Sequence, residues 1–291
     1  MADKKMKPKF KDKFIGFIDL LGFTSMVDAS ESNTGRSLAE LIILQTILEN
    51  RDGIDNIREN GPIICPDSEY NQLNLDIQVS QMSDSVLFSS EISPSGVINL
   101  INLCWVVVFK LLQEGVLVRG YITRGSLYHD SKTFVGSGFN RAYEFENGSY
   151  KKKSSVTAFK MHPDECGTPF VEVDKKITQY IEEQSDPCLK TMFNRFVMEQ
   201  EDVTGLFPFK KIAHECIVGG SDYDPLDEMR SNDVVRRMLL VLKENIVRYV
   251  DAENQQVMRK VNHYLDALNR QLENCDKFDE AIGELDKPIA G

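Results

Sequence analysis

The chain has 291 residues, 42% of them hydrophobic, enough for one sizeable α+β core with an elaboration or for two modest domains. Its 34 Lys and Arg stand against 45 Asp and Glu, and the net charge of −11 argues against a broad electrostatic footprint on nucleic acid or an anionic membrane. Small anionic ligands remain open to it, because a few local donors and cations suffice for them.

The six cysteines lie far apart without a Cys-x-x-Cys pair, and neither His162 near Cys166 nor His214 near Cys216 has the paired spacing of a zinc site. They read as reduced structural thiols of a cytoplasmic protein. Residues 1–13 carry lysine at 4, 5, 7, 9, 11 and 13 with no apolar stretch of signal-peptide type after them, and read as a solvated basic tail. The longest apolar run, residues 104–109, falls far short of the roughly 20 residues of a membrane helix, so no membrane association is expected.

Residues 14–20 form a Phe- and Ile-rich run that fits a buried strand, punctuated by Gly22, after which the chain turns toward a helix. Residues 37–50 predict a helix with Leu38, Leu41, Leu44 and Leu48 as its stripe, and the polar stretch 53–74, with Pro62 and Pro66, predicts a loop. Runs 75–80 and 86–90 predict a hairpin with Asp84 at its tip, 96–113 an apolar helix, and 116–123 a strand. A loop around His129 and Asp130 follows, then a short helix over 140–146. The order β-α-β-β-α-β is the ferredoxin-like one, so the fold class is α+β. Beyond residue 150 the pattern weakens, with a lysine run at 151–153, strands at 155–159 and 169–173, and a helix at 176–184. Residues 227–278 predict one or two helices. The organisation is a tail over 1–13, a catalytic domain over 14–175 and a mainly helical C-terminal extension over 176–291.

In a β-α-β-β-α-β sheet the first strand is central and adjoins the hairpin, so Asp19 and Asp84 meet over one sheet face. Paired carboxylates on rigid elements are hard oxygen donors suited to divalent ions, and two such ions serve attack on a phosphate and departure of its leaving group. Free N–H groups after Gly22 suit phosphate oxygens. Plain structural roles compete at each position: Asp19 as a helix cap, Asp84 as a turn residue, Arg119 and Arg124 as strand-face charges, Asn140 as a cap, His129 as a turn residue.

The segments Phe17-Ile18-Asp19-Leu20-Leu21-Gly22-Phe23-Thr24, Ser83-Asp84, Val118-Arg119-Gly120-Tyr121-Ile122-Thr123-Arg124-Gly125 and Gly136-Ser137-Gly138-Phe139-Asn140-Arg141-Ala142 resemble, in order and spacing, the class III nucleotidyl cyclases over roughly residues 14–146. The combination of Val118-Arg119-Gly120 through Gly125, then Gly136, then Ala142-Tyr143-Glu144-Phe145-Glu146 is closest to the pyrimidine cyclases of bacterial Pycsar antiphage systems. The resemblance implies a ferredoxin-like cyclase core that converts UTP or CTP to cyclic UMP or cyclic CMP with two Mn²⁺ or Mg²⁺ ions per site. It implies a homodimer with composite sites and a separate effector protein that reads the product in antiviral defence. It assigns metal contact to Asp19, Leu20 and Asp84, catalysis to Asp19, Asp84, Asn140 and Arg124, and substrate contact to Phe23, Arg119, Tyr121 and Thr133. The places where adenylate cyclases read adenine hold Ser80 and Thr133, which moves the base away from purines, and Glu144 stands where a transition-state arginine is expected. A cyclase-like domain without activity, which dimerises or senses a nucleotide, is the alternative.

Overall fold

From Lys13 to Leu20 every residue of the first strand is buried, which is what a central strand covered on both faces requires: a continuous apolar run rather than alternation. The structure, a computed structural model, describes residues 8–64, 68, 72–146, 170–200, 203–209, 224–250 and 252–285. The lysine run at 151–153 and the strand expected at 155–159 lie outside the described residues. The chain divides into two compact units, one formed by 1–111 and 117–207, the other by 112–116 and 208–291.

In the first unit the elements run β1 (Lys11–Leu20), α1 (Phe23–Glu31), α2 (Leu38–Glu49), α3 (Arg51–Asn60), β2 (Gln78–Met82), β3 (Ser85–Glu91), α4 (Pro94–Gln113, whose end passes into the second unit), β4 (Val118–His129), β5 (Phe134–Val135), α5 (Ser137–Glu146), β6 (Val171–Val173), α6 (Lys175–Glu183), α7 (Pro187–Asn194), β7 (Val197–Gln200) and β8 (Val203–Leu206). The strands join in the order β2-β3-β1-β4-β6-β8-β7, with β5 paired to β4, and among the described residues only the β4–β6 pair is parallel. The β2-β3-β1-β4 half is the ferredoxin-like arrangement with β1 beside the hairpin, and the fold is α+β as its sequence pattern predicts.

One sheet face carries Phe14, Gly16 and Ile18, with Gly16 against α4 and Phe14 edge-on to the Tyr180 ring of α6 at 5.0 Å. A Cβ on Gly16 would lie 2.6 Å from Cys104 Sγ, so that glycine sets how closely helix and strand approach. The other face carries Ile15, Phe17, Leu87, Tyr121 and Leu127. Here α5 lies mainly over β4 and β1: Phe139 and Tyr143 meet the Phe17 ring edge-on, at 5.8 and 6.0 Å, and Phe145 stacks on Tyr121 at 4.2 Å. The β2 residues are all half-buried.

Gly120 lets β4 sit tight on β1, since a Cβ there would come 2.2 Å from the Phe17 carbonyl oxygen. Backbone cannot give way as a side chain does. Gly120→Ala is expected to lower stability by about 2–3 kcal/mol, read as a lower urea midpoint at unchanged slope.

Several expectations change. The loop expected over 53–74 begins with α3, a helix whose Ile54 and Ile57 alone reach the core, the short apolar signal that a polar stretch conceals. The strand expected to end at 123 runs on to His129 and pairs with β5. The hairpin tip is a two-residue turn, Ser83-Asp84, with Ser83 at φ 51°. The sheet extends past the boundary expected at 175, because β7 and β8 pair with each other and with β6. By length and composition α4 is long and apolar enough to cross a membrane, which the run 104–109 did not reveal, but 78% of its apolar window is buried. Cys104 and Cys275 are free thiols, whereas Cys188 is disulfide-bonded, so the expectation of reduced thiols throughout fails there. Pairing depends on which segments the fold brings together, and sequence spacing does not carry that.

The second unit holds α8 (Pro225–Arg248) and α9 (Gln255–Leu285), joined through Leu239, Leu242, Ile246, Val261, Tyr264 and Leu268. Asn232, fully buried between them, donates to the Cys275 carbonyl at 2.7 Å and to Asp279 at 2.6 Å.

Candidate active site

Asp19 is the last but one residue of β1, with Ser85 of β3 on one side in the ladder and Arg119 of β4 on the other. It is nearly buried, and Arg119 Nε donates to its Oδ2 at 3.0 Å. Asp84 closes the β2–β3 turn, and its carbonyl accepts from the Leu20 amide at 3.0 Å, which fixes the turn against the end of β1. The two aspartates are therefore near neighbours at one end of the sheet. The Leu20 side chain is buried, leaving its main-chain carbonyl as the only group it can offer a cation.

Gly22 takes the left-handed conformation at φ 77°, which a side chain would strain, and turns the chain into α1 with no side chain capping it. Phe23 is buried, so its ring belongs to the core. Thr24 and Ser25 are exposed, and the first-turn N–H groups they carry have no partner within the helix, an arrangement that suits an anion.

These groups fit divalent ions of the Mg²⁺ or Mn²⁺ type. Among the described residues no cluster of three or more acidic, His or Cys side chains exists, and a site with two carboxylates completed by phosphate oxygens is the usual arrangement for Mg²⁺.

The remaining candidates are spread around this point. Arg119 meets Asp19 directly. Arg124 does not, because strand alternation puts it on the opposite face, where it donates to Asp12 Oδ2 at 2.8 Å and lies over the Tyr180 ring. Tyr121 faces the right way but is 1% exposed beneath Phe145, with burial pushing its hydroxyl pKa far up, so it shows no ring surface to a ligand. Arg141, a possible substitute charge, donates instead to Asp174 Oδ2 at 2.8 Å, which also accepts from Thr123. Asn140 is exposed in the first turn of α5, Glu144 is exposed one turn on, and Thr133 is exposed in the β4–β5 turn, where its amide donates to Asp130.

Sequence reasoning missed His129. The alternation Arg119, Tyr121, Leu127, His129 along β4 puts it on the Asp19 face, the signal that could have found it. It is 6% exposed, its Nε2 lies 3.0 Å from Ser80 Oγ and its Nδ1 2.8 Å from Ser89 Oγ. It also borders a cleft of about 500 Å³ lined by Lys9, Lys11, Lys13 and Asp76. Burial first, then the Lys13 ammonium, pushes its pKa down to about 4, with Asp130 and Asp76 opposing. The unfolded chain therefore binds the proton more readily. Stability from His129 is present above about pH 6.5 and lost as pH falls toward 4. Unfolding free energy is expected to drop by roughly 2 kcal/mol between pH 6.5 and 4.5 on this account. His263 in the second unit has a similarly lowered pKa, so urea titrations of wild type against His129→Gln isolate the His129 share.

Among solved structures, the chain is similar to the catalytic core of a rhodopsin-guanylyl cyclase with converted specificity in complex with ATPαS, at 12% identity over 68% of this chain and 95% of that one, with a TM-score of 0.37. No protein-family profile and no curated protein matches the chain. At that similarity residues do not correspond one to one, and the site stands on this chain's own geometry.

Proposed function

We propose that the protein is a metal-dependent nucleotide cyclase that converts a pyrimidine nucleoside triphosphate, UTP before CTP, to its 3′,5′-cyclic nucleotide and pyrophosphate. The observation that carries this reading is the fixing of the Asp84 turn against the end of β1 beside Asp19, next to the uncapped start of α1.

Asp19, Asp84 and the Leu20 carbonyl would hold two Mn²⁺ or Mg²⁺ ions, which when bound lower the pKa of the attacking 3′-hydroxyl and neutralise the triphosphate. The exposed Thr24 and Ser25 turn offers N–H groups to phosphate oxygens, and Arg119 adds positive charge beside the carboxylates. The hydroxyl oxygen bonds to the α-phosphorus, its proton leaves to solvent, and the bond to the β-phosphate oxygen breaks with pyrophosphate as leaving group. Asn140 and Thr133, both exposed, suit contact with the nucleotide of a partner subunit in a two-fold homodimer. The pyrimidine preference and a role in antiviral defence through a separate effector rest on the sequence resemblance, and the cytoplasmic setting on cysteines such as the free thiols Cys104 and Cys275.

Glu144, exposed where a transition-state arginine is expected, favours a second reading, a dimerising or nucleotide-sensing domain without turnover. Incubation with each of the four NTPs and Mn²⁺, with product identification, separates them: a cyclic pyrimidine nucleotide is expected, a dinucleotide product would indicate a diguanylate-type enzyme, and no product with any NTP supports the second reading.

A further inference from the structure

The chain enters β1 with lysine at every second position, and Lys9, Lys11 and Lys13 border one cleft of about 500 Å³, walled in part by Leu127 and Tyr128 of β4. Lys13 is 2% exposed, donates to the Asp76 carbonyl at 3.0 Å and lies 3.1 Å from its Oδ2. Lys11 donates to the same Oδ2 at 2.9 Å. Asp76 takes the left-handed conformation, φ 45°, uncommon outside glycine, and presents its carbonyl and carboxylate to the two ammonium groups together. One carboxylate thus serves two ammonium groups, and Lys9 adds a third that has no ion pair among the described residues.

The nearby acids do not cancel this charge. Glu91 opposes Lys13 across the β1–β3 ladder, but Asp130 is taken up by the Tyr128 hydroxyl and the Lys132 and Thr133 amides. The lining stays positive in a chain whose net charge is −11, so the excess is local to the cleft. Burial holds the Lys13 pKa below the ordinary lysine range, a cost that an anion in the cleft offsets.

We propose that this cleft binds a small organic phosphate, at a site separate from the aspartates. Separated ammonium groups act as point charges and meet phosphate oxygens from several sides. The space falls within the range of small-molecule sites and exceeds what a phosphate ion fills, which leaves room for an organic part against Leu127 and Tyr128. Asp19 lies six positions beyond Lys13 on β1, roughly 20 Å at about 3.3 Å per residue, so one phosphate group cannot serve both places. The site does not depend on the cyclase reading.

Calorimetric titration of the full chain with phenyl phosphate, in EDTA so that no divalent ion draws it to the aspartates, tests this. One site is expected, displaced by inorganic phosphate and tighter for phenyl phosphate than for inorganic phosphate. Kd is expected to rise at least about tenfold in the double variant Lys9→Gln/Lys11→Gln, whose side chains are exposed and whose loss leaves the buried Lys13–Asp76 pair in place. Asp19→Ala should bind as wild type does. Absence of binding, equal affinity in the lysine variant, or loss of binding in Asp19→Ala each overturns the site. Inorganic phosphate binding as tightly as phenyl phosphate overturns the organic part of the ligand.

Discussion

Asp19→Ala and Asp84→Ala are each expected to abolish formation of cyclic nucleotide, a loss of at least about 10³-fold in kcat, because each removes a carboxylate that no neighbouring acid replaces. Among the described residues no third acidic, His or Cys side chain joins a cluster here that could take over. The two variants differ in what else they disturb. Asp84 sits in a turn held by its backbone, through the Leu20 amide, so Asp84→Ala keeps that bond and should leave the unfolding midpoint close to wild type. Asp19 is nearly buried and accepts from Arg119, so its truncation also takes a carboxylate from a partly buried guanidinium. Asp19→Asn keeps an acceptor for Arg119 while removing the charge. Loss of activity in Asp19→Asn at near wild-type stability, measured by turnover and thermal unfolding together, would separate cation binding from a structural ion pair.

The second large effect concerns subunit composition. If each site takes its aspartates from one subunit and its Asn140 from the other, Asp19→Ala and Asn140→Ala proteins are each nearly inactive alone. Unfolded, mixed and refolded together, half of the dimers combine the two variants, and each of those holds one site free of either substitution. Activity should then return to roughly a quarter of wild type. Asn140 is exposed on α5 and has no described contact with Asp19, which suits a role in the site of a partner subunit. A mixture no more active than its components would place all catalytic groups within one subunit.

Much of this site was legible in the sequence because its parts are local. The run of β1, the hairpin and the apolar α4 announce themselves by pattern, and their order alone puts β1 beside the turn that carries Asp84. What the sequence concealed depends on long-range pairing. Arg119 and Arg124 look equivalent as charges on one strand, yet five residues of alternation separate them onto opposite faces, and only Arg119 meets Asp19. Tyr121 shares the correct face, but the cover that α5 places over it comes from aromatic contacts with Phe145 that no local spacing predicts. His129 reads as a turn residue until β4 is carried to its end, and its partners Ser80 and Ser89 lie 49 and 40 positions away. The short strands β7 and β8, four residues each, gave too little periodicity to be seen as part of the sheet.

The central claim is that this chain forms a cyclic mononucleotide at Asp19 and Asp84. The most direct measurement is ³¹P NMR of purified full-length protein with UTP and Mn²⁺, followed over time beside Asp19→Ala. The account predicts a 3′,5′-cyclic UMP resonance growing one for one with pyrophosphate in the wild type and absent in the variant. Unchanged UTP in the wild type, with CTP, ATP and GTP likewise intact, or equal product from Asp19→Ala, would contradict it.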